Sequence, residues 1–176
     1  MKNQKLRKML GDINSKECIE LMHLIETQNK QTLSVWAVTY AKTQYLPVFR
    51  EICPDEMLLD DTIAICERYL ADEIKLAEVK PLLRESRQLA AQTEDLTAQA
   101  AARAVATACA AVLTPTNAFG YLLYGAAAVA YHDAGLKESQ EVYDRLAEAE
   151  LRKALESLQK VAVPDEKNPV KINWNC

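Results

Sequence analysis

Apolar residues recur at spacings of three and four along almost the whole chain, which is the period of an amphipathic α-helix. The first predicted helix follows Ser15, a residue type that caps helix N-termini. The second is predicted to begin at Thr32 and to run to Ile52. Pro47 is expected to kink or end that helix, because proline has no backbone N–H to donate.

The middle of the chain continues this pattern. Asp55 is placed to cap a third helix with the sequence EMLLDDTIAICERYLAD. The fourth helix is predicted at 76–91, with Pro81 either near its first turn or at a kink. The polar triplet Thr-Glu-Asp then marks a break before the fifth helix, at 96–113.

A short connector, Thr-Pro-Thr-Asn at 114–117, separates the fifth helix from the sixth, and Thr116 or Asn117 suits the N-cap. Gly135 is expected to stop the sixth helix in a left-handed conformation. The seventh helix is predicted at 137–161. A tail with two prolines follows, in which Trp174 is the expected anchor.

Residues 104–132 contain no charged side chain if histidine is neutral, which raises the question of a membrane span. Pro115 divides this stretch, and each arm is shorter than the roughly 20 strongly apolar residues that a membrane helix needs. The alanine-rich arms instead predict two buried helices that pack closely as a hairpin. Gln99, Arg103 and Thr107 form a polar stripe that is expected to reach solvent or a partner.

These elements predict an all-α fold: a bundle of six to seven helices around a central alanine-rich hairpin. We predict one domain over residues 1–163 and a C-terminal tail over residues 164–176. The four glycines and the many alanine, leucine, glutamate and lysine residues agree with a helical chain.

Charge is distributed unevenly along the chain. The net charge of −4 at pH 7 argues against direct binding of nucleic acid. Residues 50–78 carry nine carboxylates but only three basic side chains. This segment is either a solvated helix face or a recognition surface for a basic partner.

The cysteines and the N-terminus bear on location. Five cysteines with no C-x-x-C pair indicate reduced thiols rather than a disulfide framework. The basic N-terminus lacks the apolar run of a signal peptide. We therefore expect a cytoplasmic protein.

Motifs for catalysis or metal binding are sparse. Glu20 and His23 have the E-x-x-H spacing of di-iron helices, but a second motif is missing. His132 and Asp133 form a doublet that a helix C-terminus explains more simply. No cofactor or metal is expected. A ligand pocket remains an alternative to core packing for the aromatic face of the sixth helix, which carries Tyr121, Tyr124, Tyr131 and His132.

Three segments, in this order, carry a resemblance to a known family: LSVWAVTYAKTQYLPVFREICPDE, RYLADEIKLAEVKPLLRES and AAARAVATACAAVLTPTNAFGYLLYGAAAVAYHDAG. Together they resemble bacterial immunity proteins of the Imm5-like type, over about residues 33–135. The resemblance implies an all-α protein encoded beside a secreted toxin, which protects the producing cell by binding that toxin.

One feature of the family is absent from this chain. Other members carry histidines along the hairpin, and alignment on Arg103 and Gly120 places them at Thr107, Leu113 and Asn117. Any metal-dependent or catalytic role of those histidines is lost here, which favours a binding role.

The leading hypothesis is therefore a toxin-neutralising protein that acts by direct binding, without chemistry of its own. Two alternatives stay open: a metal- or ligand-dependent enzyme that uses the Tyr121, Tyr124, Tyr131 and His132 face, and a self-associating scaffold. A homodimer is compatible with each hypothesis, and no membrane contact is expected. The residues predicted to bind the toxin are the acidic side chains and orienting arginines of one segment: Arg50, Glu51, Asp55, Glu56, Asp60, Asp61 and Arg68.

Overall fold

The computed structural model describes residues 5–174 and confirms the all-α fold. Eight α-helices and one short 3-10 turn make up the regular structure of this part of the chain. The helices are α1 (Lys16–Glu26), α2 (Lys30–Gln44), α3 (Leu46–Ile52), α4 (Leu58–Leu70), α5 (Leu76–Gln92), α6 (Leu96–Cys109), α7 (Asn117–Ala134) and α8 (Gln140–Val161), with the 3-10 turn at Ala110–Val112.

The alanine-rich hairpin lies at the centre of the bundle, as predicted. Helix α6 packs against α7 and also contacts α2, α3, α4 and α5, while α8 covers the other side of α7. Most side chains of α6 are buried on every face, and alanine accounts for most of them. Small side chains let the surrounding helices approach closely. The alanines of α6 therefore serve the close packing of the bundle.

Helix starts follow the predicted caps in part. The Ser15 Oγ accepts a hydrogen bond from the Cys18 amide at 3.2 Å, so the expected cap of α1 is confirmed. Asp95, in the triplet predicted only as a break before this helix, caps α6 and accepts from the Ala98 amide at 2.8 Å. Helix α2 begins earlier than predicted, because the Asn29 side chain accepts from the Thr32 amide at 2.7 Å.

The expectation for Asp55 as a cap is wrong. Asp55 lies in the turn before α4, and the N-cap position is Met57, which has no side-chain oxygen to offer. Glu56 supplies an acceptor instead, because its Oε1 receives the Leu58 amide at 3.0 Å.

The second predicted helix divides into α2 and α3 at Tyr45. Pro47 occupies the first turn of α3, where its missing N–H is tolerated. This division explains why the structure has one helix more than the sequence pattern indicates. Pro81, by contrast, lies inside α5, five residues after its first residue.

Two details at the ends of the hairpin also differ from the predictions. Thr116 is at the N-cap of α7 but makes no side-chain capping bond, and the Asn117 amide group donates to the Ala110 carbonyl instead, at 3.1 Å. Gly135 ends α7 with φ 77° and ψ −176°. The positive φ favours glycine, but the ψ lies outside the left-handed helical region, so the predicted left-handed stop is wrong.

The chain after α8 folds back along the start of α2. The buried Gln28 side chain binds both the amide and the carbonyl of Val163, at 2.7 and 3.1 Å. The Val170 amide donates to the Gln28 carbonyl at 2.8 Å. Trp174 packs edge-on against Phe119 with ring centroids 5.6 Å apart, and its indole N–H donates to Glu26. The division at residue 163 remains a prediction.

Candidate functional site

The predicted toxin-binding residues lie mostly at the corner where α3 turns into α4. Arg50 and Glu51 are in the last turns of α3, Asp55 and Glu56 follow in the connecting turn, and Asp60 and Asp61 are in the first turn of α4. Carboxylates in the first turn of a helix interact favourably with its dipole. The local sequence therefore stabilises this concentration of negative charge.

Arg50 and Asp60 join the two helices. The guanidinium of Arg50 forms an ion pair with Asp60 Oδ1. The Asp60 side chain is only 10% exposed, and its Oδ2 accepts no hydrogen bond within residues 5–174. Asp60 therefore acts mainly in fixing α3 against α4, and Arg50 screens its charge from a partner.

Glu51 connects the corner to the end of α7. Its Oε2 lies 2.8 Å from His132 Nε2, while His132 Nδ1 lies 3.1 Å from Asp133 Oδ1. The hydrogen bonds with Asp133 and Glu51 raise the pKa of His132 above its ordinary value. The imidazole is placed to orient Glu51 and, when protonated, to offset its charge.

Asp55 and Asp61 are the most available of the predicted residues. Both are exposed, whereas Glu56 is half-buried and receives the Leu58 amide. Arg68 lies eight residues after Asp60 on α4, a rise of about 12 Å along the helix axis. Its guanidinium forms an ion pair with Glu73. Arg68 therefore lies outside the corner where α3 turns into α4.

Three exposed apolar side chains at this corner escaped the sequence analysis. Ile52, Met57 and Leu96 are 37%, 52% and 44% exposed. The start of α6 reaches the corner because α3 packs on α6 and Asp95 lies near Cys53. Burial raises the pKa of the Cys53 thiol, and the Asp95 and Glu56 carboxylates raise it further. Of these three side chains, only Met57 gave a signal of an exposed apolar position in the sequence, because it stands between Glu56 and two leucines.

We use the name "α3–α4 surface" for residues 50–61 together with Asp95 and Leu96. Exposed apolar side chains within a polar rim are the usual arrangement of a protein–protein interface. The corner can therefore offer contact area from its apolar side chains and orientation from its carboxylates.

The aromatic face considered as an enzyme site does not form one site. Tyr121 is fully buried and packs against Trp36, Tyr40 and Tyr45. Tyr131 is buried elsewhere and donates its hydroxyl proton to the Arg7 carbonyl at 2.6 Å.

The other two side chains of that face are also apart. Tyr124 borders a small pocket between α5, α6 and α7, and His132 lies on the surface beside Glu51. The four side chains that share one side of α7 therefore lie in four different environments.

The polar stripe of α6 reaches the same small pocket. Arg103 and Thr107 line it, and the Arg103 Nη1 donates to the Gln99 side chain at 3.0 Å. Asn117 also lines this pocket, whereas Leu113 is not among its lining residues. Two of the three positions that the resemblance assigns to histidine therefore meet here.

No group of three histidine, cysteine or carboxylate side chains within residues 5–174 is arranged to hold a metal ion. In the E-x-x-H motif, the Oε1 of Glu20 lies 3.7 Å from the Nζ of Lys16, with which it forms an ion pair. No helix in this part of the chain has both the length and the hydropathy to cross a membrane.

Comparison with known proteins identifies the family. Residues 23–153 match the family described as "Imm-5 like putative immunity protein". The chain belongs to this Imm5-like family. The match covers most of the chain, from α1 to α8, and includes the whole hairpin and the α3–α4 surface. No curated protein and no solved structure matches the chain.

Proposed function

We propose that this Imm5-like protein neutralises a cognate bacterial toxin by binding it directly in the cytoplasm, without a catalytic step. Family membership supports an immunity role and a protein partner. The observation that carries the proposal is the α3–α4 surface, where exposed apolar side chains are surrounded by carboxylates.

The chemistry of this surface indicates a basic partner. Residues 50–61 carry five carboxylates against one arginine, and Arg50 is already paired with Asp60. Toxins that act on nucleic acids need basic clefts, and complementary charge both speeds association and selects the partner. An acidic surface can fill such a cleft and block access of the nucleic acid.

Apolar contacts supply the remaining affinity. A stable interface buries roughly 800 Å² per partner, with binding energy concentrated in a few central side chains. Ile52, Met57 and Leu96 are candidates for that centre because they are exposed in the free protein. The carboxylates of Asp55 and Asp61 then belong to the rim.

Titration of toxin activity tests whether the action is stoichiometric. The probe is the purified toxin domain encoded by the reading frame beside this gene, assayed on its own substrate. We expect activity to fall linearly and to reach its minimum at one chain per toxin, with a complex of matching mass by light scattering. Inhibition by far less than one equivalent would indicate catalysis, and absence of a complex would contradict direct binding.

A further inference from the structure

A second feature of the molecule is a small pocket on the side formed by α5, α6 and α7. Its volume is about 200 Å³. Four alanines leave the space open, because larger side chains at their positions would fill it. The polar residues of the lining are Arg87, Arg103, Thr107, Asn117 and Tyr124.

Two guanidinium groups face this pocket without a carboxylate to neutralise them. Within residues 5–174, neither Arg87 nor Arg103 forms an ion pair. Arg103 uses Nη1 to bind the Gln99 side chain, which holds the half-buried guanidinium in place. The other N–H groups of both arginines remain available to an acceptor.

Uncharged donors complete the lining. The hydroxyls of Tyr124 and Thr107 form no hydrogen bond with any other described residue. The Asn117 amide is oriented by its bond to the Ala110 carbonyl, 3.1 Å away. The polar groups of the pocket can therefore donate several hydrogen bonds to one ligand.

The charge pattern of α5 extends this positive potential beyond the pocket. Lys80, Arg84 and Arg87 are exposed at i, i+4 and i+7, so they lie along one face of the helix. Like charges at this spacing repel, and none of the three forms an ion pair within the described residues. This basic face ends at the pocket, so it attracts an anion toward it in a protein whose net charge is −4.

We propose that the pocket binds a small organic anion that carries a phosphate or a carboxylate group. Arg87 and Arg103 hold the anionic group with planar, paired N–H donors, and Tyr124 and Thr107 add hydrogen bonds. The alanines contact the organic part. A volume of about 200 Å³ is below the usual range for drug-sized ligands, so it restricts the ligand to a small molecule.

Calorimetric titration at low ionic strength tests this site without any toxin. The probes are inorganic phosphate, phenyl phosphate, benzoate and the uncharged benzyl alcohol. We expect saturable binding of phenyl phosphate or benzoate, tighter than that of inorganic phosphate and absent for benzyl alcohol. The tighter of the two aromatic probes identifies the preferred anionic group. No saturable binding of either would overturn the proposal.

Matched variants locate the binding. Arg87→Met, Arg103→Met and Tyr124→Phe should weaken binding of the preferred probe, by about tenfold for each arginine, as expected for a lost charge-assisted pair. Arg84→Met removes the same charge from the same face one turn earlier and should weaken binding less than Arg87→Met does, because Arg84 attracts the anion from a distance and does not line the pocket. Arg87 is exposed, so its replacement tests the site even if Arg103→Met disturbs folding. Equal losses in Arg84→Met and Arg87→Met would contradict a defined pocket.

Discussion

Glu150 is a carboxylate in the interior of the bundle, only 5% exposed. Its Oε1 accepts hydrogen bonds from the hydroxyls of Tyr40 and Tyr45, at 2.8 and 3.0 Å. Burial raises the pKa of Glu150, while the bonds from the two tyrosines and the charge of Lys153 act in the opposite direction. Asp133 adds a smaller upward effect on this pKa. The net direction is upward, so burial dominates.

A raised pKa makes the contribution of Glu150 to stability depend on pH. The folded state holds the proton more tightly than the unfolded state, so the stabilisation is complete below the unfolded pKa. It is lost as pH rises through the folded pKa. The buried charge at neutral pH is thus a cost that the two tyrosine hydrogen bonds only partly offset.

Glu150→Gln tests this linkage. The amide oxygen can still accept the tyrosine hydrogen bonds, but it carries no charge at any pH. We expect the unfolding free energy of the variant, relative to the natural chain, to increase between about pH 4 and pH 7. Denaturant unfolding across this range measures it, with the exposed Glu148→Gln as control. A difference that stays constant with pH, or that decreases, would show that burial does not dominate.

Of the two glycines of α7, packing against an aromatic ring explains Gly125 alone. Gly125 faces the ring of Tyr45, and a Cβ at this position would overlap that ring. Tyr45 is itself held by Glu150 and packs edge-on against Tyr40 and Tyr121. At Gly120, on the same helix, an added Cβ would come no closer than 3.9 Å to the Thr107 side chain.

These two glycines predict opposite effects of the same substitution. Gly125→Ala should lower the unfolding free energy by about 1–3 kcal/mol, because the ring of Tyr45 must move. Gly120→Ala should raise it by about 0.5–1 kcal/mol, because alanine is the better helix former. Chemical denaturation of both variants provides the comparison. Changes of the same sign in both would contradict the packing described for α7.

Helix by helix, the predictions succeeded where the signal is local. Ser15 caps its own helix, and the period of small residues identifies the hairpin. They failed where a nearby alternative competes, as Asn29 does with Thr32 and Glu56 with Asp55. In such places several polar residues suit the same cap, and packing of the helix decides between them.

The candidate site was only partly accessible from the sequence, because it joins segments that are distant along the chain. The carboxylates of residues 51–61 stand out by composition, but Asp95 comes to the same corner only because α3 packs on α6. The contact of Glu51 with His132 spans 81 residues. Likewise, the pocket beside Arg103 requires Arg87 and Tyr124 from two other helices. The spacing of apolar residues within one helix gives no information about such contacts between helices.

Across the whole molecule, charge is separated between two faces. The α3–α4 surface is acidic with exposed apolar side chains, whereas α5 presents a basic face beside a small pocket. The central hairpin contacts the helices that carry both faces, and it also contributes residues to each: Leu96 to the α3–α4 surface, and Arg103 and Tyr124 to the pocket. The alanine-rich core by which the chain resembles its family thus supports both proposed binding surfaces.

Toxin binding through the α3–α4 surface is tested by the affinity for the purified toxin domain after charge reversal on that surface. The double variant Asp55→Lys and Asp61→Lys is compared with Glu20→Lys and Glu156→Lys on α1 and α8, which changes the net charge equally. Surface plasmon resonance at low ionic strength measures the dissociation constant and the association rate.

Reversal at Asp55 and Asp61 is expected to weaken binding at least about tenfold, or about 1.4 kcal/mol, mainly through slower association. The control pair should change affinity less than about twofold, because its charges lie outside the contact. Equal affinities and association rates for the two double variants would contradict binding through the α3–α4 surface.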